Sequence, residues 1–342
     1  MKALFVKLAL IIIGSGLVFE LVFGLTLPAM VQRSKDSYLS RWRQFYQQPS
    51  GATLVCLGSS RIHRHCDPEI ISAATHCRTE VIAIPGAKVD FFERMYKDWL
   101  QRNPRPKVLL VGIDLTGLNS KSPTPFPQYF YPFMKASDQV AQEPEFSITR
   151  YHKPLGFFYY KELYAYELEF PDGPSHIAGY LPSDATWQQP EWEGYVNSVP
   201  HGYGLGASSS VIRELFRFMK EEKAAGVTCV GVLSPEYQGI WKYENDRQKV
   251  MREVLQEAQL QGIRLFNFSD SSYLPNFNTR YFYDFEHMNK TGATVFSRDL
   301  ADSLVAFLSY LHYPWTAPND SAIGSKTTSN IVQPIPRPSS PL

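Results

Sequence analysis

Five short runs of β-branched and apolar residues constrain this chain most: Thr53–Leu57, Glu80–Ile84, Lys107–Ile113, Val227–Leu233 and Ile263–Asn267. Stretches of helical period succeed the later ones. Ile212, Leu215, Phe216 and Met219 form one apolar stripe, and Val250, Val254, Leu255 and Ala258 a second. A third begins after Gly292 with Phe296, Leu300, Leu304, Phe307 and Leu308. Short apolar runs bounded by Gly, Pro or Ser read as buried strands. Their alternation with amphipathic helices predicts a five-stranded parallel sheet covered on both faces, a three-layer α/β/α arrangement. Such sheets place their chemistry beyond the carboxyl ends of the strands, so the residues just after each run are the candidates.

The N-terminus is of another kind. From Leu8 to Leu27 the chain is apolar except for Ser15, Glu20, Thr26 and three glycines. Twenty helical residues span roughly 30 Å, the thickness of a bilayer core. No small-x-small cleavage site comes after it, so residues 1–30 read as an uncleaved transmembrane signal anchor. Arg33, Lys35, Arg41 and Arg43 pull the C-terminal side of the segment toward the cytoplasm. Signal-like anchors nonetheless usually export the succeeding domain, and the expectation is a single-pass membrane protein with an extracytoplasmic domain. Residues 31–50 read as a juxtamembrane linker.

Residues from about 118 to 208 break the alternation and are rich in Tyr, Phe, Trp and Pro. A structureless loop of that length is implausible in a compact domain, so an inserted subdomain or lid is expected. Its aromatic residues could stack on sugar rings, line an acyl pocket or form the insertion's own small core. Residues 313–342 lack periodicity and read as a disordered tail. The formal net charge of +1 offers no case for nucleic acid. The four cysteines, Cys56, Cys66, Cys77 and Cys229, show no zinc-ligand spacing. Cys56 and Cys229 read as small buried hydrophobes, and a Cys66–Cys77 disulfide stays open.

Four short blocks fall where strands end or a helix starts: Gly58-Ser59-Ser60, Pro85-Gly86, Gly112-Ile113-Asp114, and Asp284-Phe285-Glu286-His287. A serine hydroxyl is a weak nucleophile at neutral pH and needs an adjacent base. Histidine suits that task, with a carboxylate to fix its tautomer. Asp284 precedes His287 by three residues, so one turn can hold both. The backbone N–H of Ser60, at a helix start, and that of Gly86, which lacks a side chain, can serve a developing oxyanion.

These blocks resemble the SGNH (GDSL-like) hydrolase superfamily from about residue 54 to 307, the insertion excluded. Gly58-Ser59-Ser60 stands for its Gly-Asp-Ser block, with Ser59 in place of Asp; Gly86 stands for its second-block Gly, and Asp284-x-x-His287 for its last block. The resemblance implies Ser60 as nucleophile, His287 as base and Asp284 as its partner, within a catalytic domain of residues 51–312 whose strands take flavodoxin-like order. It is nearest to the membrane-anchored branch, which includes proteins of polysaccharide O-acetylation and teichoic-acid D-alanylation. Asp114 departs from the family, which has Asn there as an oxyanion donor; an ionised carboxylate cannot donate. Asp114 is therefore expected to anchor a loop or polarise a substrate group.

Ser59 is the competing nucleophile, and a plain helix N-cap the competing role for Ser60. Arg61, His63, Arg64 and His65 read as a solvated helix face. Arg61 is the alternative holder of an anionic substrate group, and His63/His65 make a poor metal pair. Glu236 and Tyr237 fall at the same rim, Tyr237 as a substrate contact or a simple turn residue. The expected activity is acyl-ester hydrolysis or O-acyl transfer on a cell-surface or secreted polysaccharide, without metal or organic cofactor. The partners would be an acylated carbohydrate, the membrane and a polysaccharide-modification complex. A lipid or small-ester esterase and a non-catalytic scaffold in such a complex are the alternatives.

Overall fold

The computed structural model describes residues 2–33, 37–119, 130, 133, 137, 176–273 and 277–311. Five parallel strands form one sheet: β1 (Leu54–Gly58), β2 (Thr79–Ala83), β3 (Val108–Gly112), β4 (Thr228–Leu233) and β5 (Arg264–Asn267). Their order is β2-β1-β3-β4-β5. The chain therefore reverses direction of winding at β1, and a crevice opens beyond the carboxyl ends of β1 and its neighbours.

The described helices are α1 (Lys2–Arg33), α2 (Ser37–Gln47), α3 (Ser60–His65), α4 (Pro68–Thr75), α5 (Val89–Leu100), α6 (Gln189–Ser198), α7 (Ser209–Ala224), α8 (Arg247–Leu260) and α9 (Lys290–Tyr310). Every residue of β1 and β3 is buried, as expected when helices cover both faces. Val55, Leu57, Leu109 and Val111 pack with α2, α5, α7 and α8 on one face. Leu54, Cys56, Val108 and Leu110 pack with α4 and α9 on the other.

One sequence expectation changes here. Residues 37–47 form a helix that places Leu39, Trp42, Phe45 and Tyr46 in the core, so the stretch read as a linker is part of the packed domain. Its Arg41 guanidinium donates to the Val81 and Ala83 carbonyls of the edge strand β2, at 3.1 and 2.7 Å. Cys66 and Cys77 are free, as are Cys56 and Cys229, and all four are buried. Among the described residues no helix is long and apolar enough to cross a membrane. The described apolar side chains of α1, from Leu4 to Val22, are exposed. The tail from 312 onward and most of the interval 120–175 lie outside the described residues.

Two glycines explain how α3 reaches the sheet. A Cβ on Gly58 would lie 2.6 Å from the Ile62 Cγ1, and one on Gly112 would lie 2.1 Å from the same atom. Both strands thus end in glycine so that Ile62 can settle on them. That seats the first turn of α3, with Ser60, directly over the junction of β1 and β3.

Candidate functional site

Ser60 is the first residue of α3, and Ser59 is its N-cap. The Ser59 hydroxyl is turned away to donate to Asp114 Oδ2 at 3.2 Å. The Ser60 Oγ instead lies 2.8 Å from His287 Nε2. His287 Nδ1 faces Asp284, 2.8 Å from Oδ2 and 3.0 Å from Oδ1. The Asp284 carboxylate also accepts the backbone N–H groups of Glu286 and His287, at 2.8 and 2.7 Å. Burial pushes its pKa up, but these bonds and the His287 contact outweigh that and hold it below the usual carboxylate range. A hydroxyl–imidazole–carboxylate chain of this kind lets the ring take the hydroxyl proton as the oxygen attacks.

The loop that carries Asp284 and His287 is closed at its base. Phe282 and Met288 bridge antiparallel and are both fully buried. The Tyr283 ring lies parallel to the His287 ring, with centroids 5.6 Å apart. Met288 N–H donates to His65 Nε2 at 3.0 Å. That nitrogen must be unprotonated, so the His65 proton sits on Nδ1 and points at Ser234 Oγ, 3.1 Å away.

His63 and His65 are both 0% exposed and Arg61 only 5%, which corrects the reading of this segment as a solvated face. Burial is the main cause that lowers the pKa of both histidines well below the ordinary imidazole value. An imidazole that stays neutral when folded but charges when unfolded contributes stability above the unfolded pKa, lost as pH falls. Thermal stability is therefore expected to decline on acidification below about pH 6.5, where the unfolded histidines charge. In His65→Gln the decline should be shallower. Melting temperatures measured from pH 7.5 to 5 test this; equal slopes for the two proteins would refute the role of His65.

Arg61 is also corrected as a substrate contact. Its guanidinium is internal, with Nη1 2.8 Å from Glu236 Oε2, Nε 3.6 Å from Asp114 and Nη2 3.7 Å from Glu286. Glu236 is only 1% exposed. It pairs with Arg247 and accepts from Trp241 Nε1 and Ser269 Oγ, at 2.8 and 2.9 Å. Burial raises its pKa, yet the two guanidiniums prevail and bring it to about 2. Sequence reasoning misses its place in the network, because a Ser-Pro-Glu turn after a strand reveals nothing about burial.

Asp114 is bound within its own loop: its Oδ1 accepts the Thr116 hydroxyl at 2.8 Å and the Thr116 N–H at 3.2 Å. Gly86 has φ 74°, and Ala87 N–H donates back to the Ile84 carbonyl at 3.2 Å. Ile84-Pro85-Gly86-Ala87 is thus a type II turn with Pro and Gly at its two central positions. Ser60, Gly86, Asp114 and His287 line one cavity of about 330 Å³. Arg64, Lys88, Tyr283 and Glu286 line it too. Tyr237 does not; its ring packs against Trp187 and Trp192 at 4.5 and 5.2 Å. Among the described residues no group of three or more His, Cys, Asp or Glu is arranged to hold a metal ion.

No family model matches the chain, and no curated protein matches it. Solved structures give loose likenesses. LAE5, an alpha/beta hydrolase from the metagenome of Lake Arreo, Spain, is 9% identical with a TM-score of 0.37, over 79% of this chain and 98% of its own. A putative acylhydrolase from Bacteroides fragilis NCTC 9343 is 11% identical with a TM-score of 0.35, over 77% and 94%. Both likenesses are too distant to assign a function.

Proposed function

We propose that this chain is an SGNH-type serine acyl-ester hydrolase or O-acyltransferase. The observation that carries the reading is the unbroken chain Ser60 Oγ–His287 Nε2 and His287 Nδ1–Asp284, each link 2.8 Å at its shortest. Ser60 attacks the acyl carbonyl as His287 takes its proton, and Asp284 stabilises the imidazolium. The alcohol leaves with that proton, and Ser60 holds the acyl group as an ester. Water or a sugar hydroxyl, deprotonated by His287, then takes the acyl group and restores Ser60.

The oxyanion of each tetrahedral intermediate is held by the backbone N–H groups of Ser60 and Gly86. Asp114 anchors the loop beside them and supplies no donor. The acyl group is small, acetyl for preference, in keeping with the cavity volume of about 330 Å³. The acceptor is a cell-surface or secreted polysaccharide, by the sequence resemblance alone. The apolar segment Leu8–Leu27 anchors the enzyme with its domain outside the cytoplasm; the apolar sequence and the exposed side chains of α1 support this part of the reading.

A fluorophosphonate probe tests the chemistry. The folded protein is expected to label, and Ser60→Ala is expected to lose the label while melting at the same temperature. Absence of labelling in folded wild-type protein would reject the enzyme reading. Turnover of 4-nitrophenyl acetate with and without oligosaccharide then separates hydrolysis from transfer.

A further inference from the structure

Helix α6 contributes no side chain to either hydrophobic cluster, and none of its residues is buried. It is nevertheless held against the domain by rings. Tyr195 stacks on Phe285 with centroids 4.2 Å apart and planes at 28°. Trp192 contacts Phe285 at 6.0 Å, Tyr237 edge-on at 5.2 Å and Tyr243 at 6.0 Å. Phe285 lies between Asp284 and His287, and among the described residues its aromatic neighbours are these two from α6. The Phe285 carbonyl accepts the Tyr237 N–H at 3.1 Å, so the crest of the loop is gripped through its backbone from the end of β4 and through its ring from α6.

We infer that Tyr195 and Trp192 are positioning residues that hold the Asp284–His287 loop through Phe285, an inference that rests on the catalytic reading of that loop. The loop needs such a hold. Its base is closed by the Phe282–Met288 bridge, but Asp284, Phe285, Glu286 and His287 are each only partly buried. The two backbone bonds to Asp284 Oδ1 make the turn one unit, so a shift of Phe285 moves the carboxylate and the imidazole together. Neither Tyr195 nor Trp192 lines the cavity that holds Ser60, which separates this role from substrate contact.

The test compares Tyr195→Ala, Trp192→Ala and Tyr195→Phe with wild type. Because no residue of α6 belongs to the buried core, both alanine variants should fold and melt close to wild type. Misplacement of reacting groups by about 1 Å can cost about 100-fold, so a kcat for 4-nitrophenyl acetate reduced about tenfold or more is expected in the alanine variants. KM should change little, and Tyr195→Phe, which keeps the ring, should restore wild-type kcat. Amide hydrogen exchange across residues 283–288 should accelerate in Tyr195→Ala and not in Tyr195→Phe. Wild-type kcat in both alanine variants, or a raised KM with unchanged kcat, would overturn the inference. Should the wild type prove inactive, the catalytic reading fails on its own, and unchanged exchange in Tyr195→Ala would then reject the clamp as well.

Discussion

Asp284→Asn is expected to lower acyl-ester turnover by about 10⁴-fold and leave the fold in place. The asparagine Oδ1 can still accept the Glu286 and His287 N–H groups that Asp284 accepts now. Its Nδ2, however, donates where the carboxylate accepted from His287 Nδ1. The ring then carries its proton on Nε2, and the nitrogen that faces Ser60 can no longer take the hydroxyl proton. The variant should melt near wild type and label slowly with fluorophosphonate. Retention of more than a tenth of wild-type kcat would remove Asp284 from the mechanism.

Glu236→Leu should have the largest effect on stability. Glu236 is the carboxylate shared by Arg61 and Arg247, all three buried. Removing one partner leaves two guanidiniums without their central counter-ion, and breaking a buried pair costs about 3–5 kcal/mol. For a domain of this size that corresponds to a melting temperature lower by roughly 10 °C. Arg61 Nη1 stands 2.8 Å from Glu236 Oε2 as its opposite charge. Glu236→Gln should therefore destabilise too, by loss of charge at nearly constant shape. A Gln variant with wild-type stability would show that the network contributes packing and not charge.

The same network sets the rim of the sheet. Arg61 comes after β1, Asp114 after β3 and Glu236 after β4, and Glu286 sits beside His287. One guanidinium thereby ties four rim segments together around Ser60. Asp114, out of place as an oxyanion donor, has a role here: it caps its own turn, accepts the Ser59 hydroxyl and lies near the Arg61 charge. The Ser59 bond also sets the two adjacent serines apart. One hydroxyl is bound to a carboxylate, and the other faces the imidazole.

The strands, the helices α7 to α9 and the short blocks at the strand ends are legible in the chain, because periodicity and turn residues are local properties. Asp284 and His287 in one turn are legible for the same reason, being three residues apart. Helix α2 is hidden because its stripe of Leu39, Trp42, Phe45 and Tyr46 comes after an apolar segment and carries Arg41 and Arg43 among its residues. Arg61 misleads because a run of Arg and His looks solvated unless its acidic partners are known, and those lie 53, 175 and 225 residues away. Local order along the chain thus determined the parallel α/β architecture and where Ser60, Gly86, Asp284 and His287 stand in it. Only the packing of distant elements decided which charges are internal, which serine meets the imidazole and what grips Phe285, since burial and long-range pairing depend on segments that sequence spacing does not bring together.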